Sequence, residues 1–320
     1  MKINLANIKK AIKILNNSDC VAIPTETVYG LAGNAYSDRS CRKIFKLKNR
    51  PKNNPLIVHY HNFQNLKKDC NFNNDFLKLY KRFCPGPITF ILDLKKNSRI
   101  SKIVTNNKNT LAVRFPKHPI TRNLLKNINF PLAAPSANPS SKVSAVSSDD
   151  VRDDFGRKVK YILEGGRSSI GLESTIIDCT GEIARLLRPG GITRDALAAA
   201  LAAANCNPQI DISEPMADHE NPVAPGQLAS HYAPKAAVRL MAKTSTADEE
   251  LIGFGTVSGA GKLALNLSPS GDLVEAAANL FSILHAVDAA DIAKIAIAPI
   301  PDTGLGEAIN DRLRRAAAPR

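Results

Sequence analysis

The chain has 320 residues, with 43 Lys and Arg against 29 Asp and Glu, a net charge of +14 and an isoelectric point of about 9.6. That length exceeds what one core usually supports, so two domains are expected, and the charge favours anionic partners such as nucleotides, phosphates or RNA. Aromatic residues make up 5% and tryptophan is absent, which disfavours base stacking as the main binding device; no stretch reaches the ~18 uninterrupted apolar residues of a membrane span, so no membrane association and a cytoplasmic location are expected.

In chain order, MKINLANIKKAIKILNN places Ile8, Ile12 and Leu15 on one helical face, and its Lys and Asn residues argue against a signal peptide. Val21-Ala22-Ile23 is a short apolar run that stops at Pro24. A hydroxyl-rich turn follows, with Thr25, Glu26, Thr27 and Tyr29-Gly30. Helical spacing resumes with Ile44 and Leu47 and ends in a cationic knot of Lys46, Lys48, Arg50 and Lys52, broken by Pro51 and Pro55. Leu56-Ile57-Val58 is a second apolar run that delivers His59. The order is strand, polar turn, helix, basic loop, strand, and open α/β sheets place ligands at such strand ends.

Asn74 to Phe83 has helical spacing and stops before Pro85-Gly86-Pro87. Ile88 to Leu94 and Leu111 to Phe115 read as strands, the second carrying Arg114. Pro119 to Asn127 reads as a helix, and Leu132 to Ala134 as a short strand entering PSANPSSKVSA. Tyr161-Ile162-Leu163, Ser174 to Asp178 and Ile183 to Leu187 read as strands, the last entering Arg188-Pro189-Gly190-Gly191. Ala196 to Ala204 is a helix of Ala and Leu. The composition shifts on the way, from Lys and Asn before about Ser140 to Ala, Arg and Gly beyond about Asp149. Asn205 to Pro234, with Pro208, Pro215, Pro222, Pro225 and Gly226, reads as a linker. A second α/β unit follows, with strands at Ala237 to Met241, Leu251 to Phe254, Leu263 to Leu267 and Ile295 to Ile300. Its helices run from Asp272 to Val287, with Ser270 or Gly271 near the cap, and from Gly306 to Ala317. Interleaved strands and helices give an α/β class.

The cysteines (Cys20, Cys41, Cys70, Cys84, Cys179, Cys206) form no C-x-x-C pair and have no histidine at zinc-ligand spacing, so buried or free thiols are expected. There is no P-loop. GTVSGAGKL around Lys262 comes nearest, with its leading glycine one residue out of register and Leu263 where a magnesium-binding hydroxyl belongs. No G-x-S-x-G elbow, H-E-x-x-H helix or kinase signature is present. What remains is a set of cations and hydroxyls at strand ends: Lys48, Arg50, Arg114 and Arg188, with Thr27, Thr110, Ser136, Ser144 and Ser174. Such a set can hold phosphates and a carboxylate through charge-assisted bonds, although each member alone is more often a solvated surface group. His59 is open between core histidine and ligand.

Together PTETVYGL, KLKNRPKNNPLIVH, LAVRFP, APSANPSSKVSA, GLESTIID and LLRPGGIT, from about Asn7 to Leu201, resemble the threonylcarbamoyl-AMP synthase family with its YrdC-like fold. APGQLASHYAP and the second α/β unit resemble the longer, two-domain form. The resemblance implies a YrdC-like twisted mixed sheet with helices around a central cavity over residues 1–204, a Pro-rich linker or lid over 205–235, and a smaller Rossmann-like α/β domain over 236–320.

It also implies a reaction. L-threonine, bicarbonate and ATP would give threonylcarbamoyl-adenylate and pyrophosphate, with Mg²⁺ bridging the phosphates, and a separate transferase complex would pass the group to tRNA. By motif, Lys48 and Arg50 are the catalytic candidates. ATP contacts fall on Arg50, Asn54, Thr110, Ala134, Ser136, Asn138, Ser144 and Arg188, with Ser230 and Tyr232 beside His231 in the linker. L-threonine contacts fall on Thr27, His59, Arg114 and Ser174. No resident metal site is implied. Asn49 stands where many members have Gly; if the position needs a positive φ, Asn is the next best tolerated residue. The rival reading is a non-catalytic basic module that binds tRNA, and a weak direct tRNA contact fits either reading.

Overall fold

Short apolar runs punctuated by Pro and Gly become strands here, and the segments with apolar residues at helical spacing become the helices that cover them. The computed structural model describes residues 4–202 and 230–319. In order, the elements are α1 Leu5–Asn16, β1 Val21–Ile23, β2 Gly30–Asn34, α2 Asp38–Lys48, β3 Ile57–His59, α3 Phe63–Leu66, α4 Asn74–Phe83, β4 Ile88–Asp93, α5 Lys102–Thr105, β5 Thr110–Arg114, α6 Pro119–Lys126, β6 Leu132–Ala133, α7 Ser148–Phe155, β7 Thr175–Asp178, β8 Arg185–Arg188 and α8 Arg194–Ala202. The later unit adds β9 Ala237–Arg239, β10 Glu250–Ile252, α9 Leu273–Ala289, β11 Lys294–Ile297 and α10 Leu305–Ala317.

The first unit holds one mixed sheet of order β1-β2-β6-β3-β5-β4-β7-β8. β3 and β5 run parallel, with His59 opposite Arg114. Thr89 pairs with Arg114 across the antiparallel β4–β5 ladder, and Arg188 pairs with Ile176 across β7–β8. The register therefore collects His59, Arg114, Thr89 and Arg188 at one sheet end. Residue alternation then separates two faces. Val58, Phe90, Val113 and Ile177 share a core with Ile44 of α2, Phe76 and Leu79 of α4, and Leu197 of α8. Ile57, Ile91, Ala112 and Ile176 form a separate small apolar cluster on the opposite face.

α2 ends where it must for the basic loop to turn back. Asn49 caps it in the left-handed region, at φ 50° and ψ 46°, and Asn tolerates that conformation better than most residues. Gly190 is fixed by close approach: a Cβ there would lie 2.4 Å from the Thr175 nitrogen and 2.5 Å from the Glu173 carbonyl oxygen.

The C-terminal unit is a parallel sheet of order β10-β11-β9, with α9 and α10 packed together. Its core does not stop at its own residues. Val28, Val143, Val146 and Leu172 of the first unit join Phe281, Leu284 and Ile309, with Tyr232 between them.

Four expectations change. β2, with sequence GLAGN, was not anticipated; it pairs antiparallel with β1. Tyr161 to Leu163 makes a single bridge, Ile162 to Ala22, rather than a strand. Leu263 to Leu267 likewise makes only the Asn266–Gly253 bridge, its backbone-to-backbone bonds joining the Leu265 carbonyl and the Leu267 amide to Gly253. The α9 cap is Asp272, whose side chain accepts from the Val274 and Glu275 amides, and not Ser270 or Gly271. The expected linker between Asn205 and Ala229, with Cys206 and the end of the Ala-rich helix, lies outside the described residues.

Candidate active site

Three loops and a sheet end define the site. The turn after β1 is held by its own hydroxyls: Thr25 Oγ1 donates to the Val28 carbonyl at 2.6 Å and bonds Thr27 Oγ1 at 2.8 Å. The loop after α2 is held by Arg50, whose Nη2 donates to Asn54 Oδ1 at 2.6 Å and to the Pro55 carbonyl at 2.8 Å. The loop after β6 is held from below by Lys48, whose ammonium donates to the Ser136 carbonyl at 2.7 Å and to that of Asn138.

These loops border a cleft with about 530 Å³ of empty space, counted to its open mouth. Ile57 and Ala134 line its apolar part, and Arg50, His59, Arg114, Ser136, Ser174 and Arg188 its polar part, with His231 and Tyr232 against it. All but Ser136 of these polar groups are buried. Arg188 donates to the Ser174 carbonyl at 2.7 Å, and Ser174 Oγ bonds Thr89 Oγ1 at 2.7 Å. Arg114 is steadied by Glu26, Nη2 to Oε1 at 2.7 Å, while Glu26 Oε2 accepts from the Lys117 amide at 2.9 Å.

The electrostatics of this wall are one-sided. Burial alone would raise the Glu26 carboxyl, but the Arg114 guanidinium outweighs it and holds the group below its ordinary range. Burial pushes Arg50 and Arg188 downward and drives Lys48 well down, with Arg50 adding to the effect. The guanidinium groups start so high that they remain charged at neutral pH. Burial, then Arg114, lowers His59 to about 3; burial, then Arg50, drives His231 well down. Both imidazoles are therefore neutral near pH 7. Several buried polar atoms here have no bonding partner among the described residues: His59 Nδ1, Arg114 Nε, His231 Nδ1 and, behind the wall, Asn138 Oδ1. Such an atom costs about 1–3 kcal/mol. Several together, beside three guanidinium groups, make a surface suited to an anionic, hydrogen-bonding ligand.

Eight of the expected residues line the cleft: Arg50, His59, Arg114, Ala134, Ser136, Ser174, Arg188 and Tyr232. Lys48 does not; it is 1% exposed and its ammonium is spent on the loop carbonyls, so it shapes the cleft from beneath. Asn54 orients Arg50, and Thr27 bonds Thr25. Ser144 donates to Glu173 Oε1 at 2.5 Å, and Asn138 donates to the Pro139 and Lys142 carbonyls. Thr110 sits at the opposite end of β5 from Arg114, and neither it nor the half-buried Ser230 lines the cleft. Sequence reading missed Glu26 and Glu173, although both lie inside motifs it quoted. Their roles depend on partners 88 and 139 residues away.

No group of three His, Cys, Asp or Glu residues that could hold a metal ion occurs among the described residues, and no described helix is long and apolar enough to cross a membrane.

Comparison with known proteins places this geometry. Residues 13–190 match the Sua5/YciO/YrdC family model, described as telomere recombination, and residues 192–318 match the model of the threonylcarbamoyl-AMP synthase C-terminal domain. The chain is 35% identical to the threonylcarbamoyl-AMP synthase of Bacillus subtilis, over 99% of its own length and 94% of the relative's. It is also 35% identical to that of Pyrococcus abyssi, over 98% and 94%. The crystal structure of P. abyssi Sua5 complexed with L-threonine superposes with a TM-score of 0.89 at 32% identity, covering 99% of this chain and 96% of that one. The chain belongs to the threonylcarbamoyl-AMP synthase family, in its two-domain form.

Proposed function

We propose that this cleft condenses L-threonine, bicarbonate and ATP into threonylcarbamoyl-adenylate and pyrophosphate, which makes the chain a nucleotidyltransferase. The observation that carries the reading is the gathering of Arg50, Arg114 and Arg188 in one buried wall with polar atoms that lack partners. The threonine amine and bicarbonate first form a carbamate with loss of water, and this carbamate is short-lived in water. A carbamate oxygen then attacks the α-phosphorus of ATP as pyrophosphate leaves. Neither step needs a protein nucleophile; both need positioning, charge neutralisation and exclusion of water.

Arg114, steadied by Glu26, holds the threonine carboxylate through its unengaged Nε. Neutral His59, with Thr27 buttressing the turn from behind, borders the amino-acid end. Arg50 and Arg188 neutralise the phosphates. Ser136 and the Ala134 backbone hold the nucleoside side, on a loop fixed by Lys48. Glu173 offers no free carboxylate, since Ser144 and Arg312 engage its two oxygens. Mg²⁺ would accompany the nucleotide as its counter-ion and would add to the charge neutralisation that Arg50 and Arg188 provide. The product goes on to a tRNA-modifying transferase complex. A cytoplasmic location and a division near residues 204 and 235 complete the proposal.

The test is pyrophosphate release by the full chain. Release that requires threonine, bicarbonate and ATP together, with no RNA present, supports the synthase. Salt-dependent RNA binding without turnover supports the rival instead.

A further inference from the structure

Arg312 belongs to α10 of the C-terminal unit, yet it is 1% exposed and touches three parts of the cleft wall. Its Nε donates to Glu173 Oε2 at 3.0 Å. Its Nη1 donates to the Pro189 carbonyl at 2.9 Å and to Asp311 Oδ2 at 2.7 Å. Its guanidinium carbon lies 5.4 Å from the centre of the Tyr232 ring. Glu173 immediately precedes Ser174, Pro189 immediately follows Arg188, and Tyr232 itself faces the cleft. One planar fork therefore ties the entrance of β7, the exit of β8 and the start of the C-terminal chain.

Two features argue against an ordinary interdomain ion pair. First, the pair is buried, with side-chain exposures of 1% and 8%, where Arg194–Glu307 at the same interface keeps 20% and 27%. A buried pair is poor value as a stabiliser, because desolvation offsets most of the attraction, and apolar residues of similar volume often serve as well. Second, Tyr232 sits at φ 62°, a left-handed conformation unusual for an aromatic residue. Such strain persists where the surroundings over-determine it and concentrates at ligand sites. The ring is held by His231 at 4.1 Å, Phe281 at 5.6 Å and Arg312.

The geometry points to Arg312 as a positioning residue through which the C-terminal domain sets the ATP half of the site, by fixing Glu173, the Arg188–Pro189 turn and Tyr232. The inference rests on the nucleotide assignment made above. Through Arg312 the Glu173 carboxylate, which lines the cleft, receives its charge partner from α10.

The experiment uses the full chain carrying Arg312→Lys, Glu173→Gln or both. Pyrophosphate release is measured with ATP and threonine varied separately, alongside the melting temperature with and without ATP. Arg312→Lys keeps the charge but loses the fork. It should raise KM for ATP ~10-fold, about 1.4 kcal/mol, and leave KM for threonine within about twofold, while the ligand-free melting temperature falls by a few degrees at most and the protein stays folded at assay temperature. The ATP-induced rise in melting temperature should shrink in parallel. The effects of Arg312→Lys and Glu173→Gln on KM for ATP should not add in the double variant, since the two residues act through one contact. An unchanged KM for ATP in Arg312→Lys, or an equal rise in both KM values, would overturn the inference. If the wild type shows an ATP-induced melting shift but no turnover, the synthase reading fails, while the loss of that shift in Arg312→Lys still supports the positioning role.

Discussion

The cleft wall and the outer surface of the C-terminal sheet handle charge in opposite ways. On the C-terminal sheet, charges find each other in water: Lys294 bonds Asp248 at 2.5 Å, with both side chains more than half exposed. In the cleft, Arg50 is buried with carbonyl and amide oxygens for partners rather than a carboxylate. The same contrast appears within one short stretch, where Lys46 and Lys52 are exposed and Lys48 and Arg50 are buried. Exposed pairs add little to stability, whereas a buried cation without a counter-charge is costly and signals a site whose anion is the ligand.

That contrast can be broken most directly at Arg50. Arg50→Ala should lower threonine-dependent pyrophosphate release by roughly 10²–10³-fold, as expected for a charge-stabilising group in a dry site. Near-normal turnover would refute its role. The next effect is at Glu26. Glu26→Gln leaves Arg114 buried without its carboxylate and should cost about 3–5 kcal/mol in urea unfolding; a loss below about 1 kcal/mol would mean the pair is dispensable.

Acidification gives a graded effect. His59 has a depressed pKa in the folded state, so the unfolded chain binds its proton first. Its contribution to stability is complete above about pH 6.5 and is lost as pH falls toward about 3. Comparing the wild type with His59→Asn isolates that contribution, with an excess slope approaching roughly 1.4 kcal/mol per pH unit below pH 6. Parallel pH profiles would sink it. Finally, Asp248→Asn should leave turnover and the melting temperature within experimental error; a clear loss of activity would show that the outer sheet is not the inert counterpart described here.

Much of this was legible in the residues. α4 runs from Asn74 to Phe83 as its spacing implied, because apolar positions and flanking Asn and Pro residues agree. His59, Arg114 and Arg188 meet because each ends a strand read from a short apolar run. β2 escaped notice since Gly30 and Gly33 replace the branched residues that mark a strand. Lys48 is a catalytic candidate by motif, but a sequence shows charge and not direction; only the fold shows its ammonium turned onto the Ser136 loop. Glu173 escaped for a similar reason, its partner Arg312 lying in the other domain.

Val28, Val143, Val146 and Leu172 are packed against the C-terminal unit. A version of this chain cut back to its first domain would present those four apolar side chains to water, Val28 among them beside the cleft itself. Polar replacements at these positions are therefore the first change to make in an engineered single-domain form.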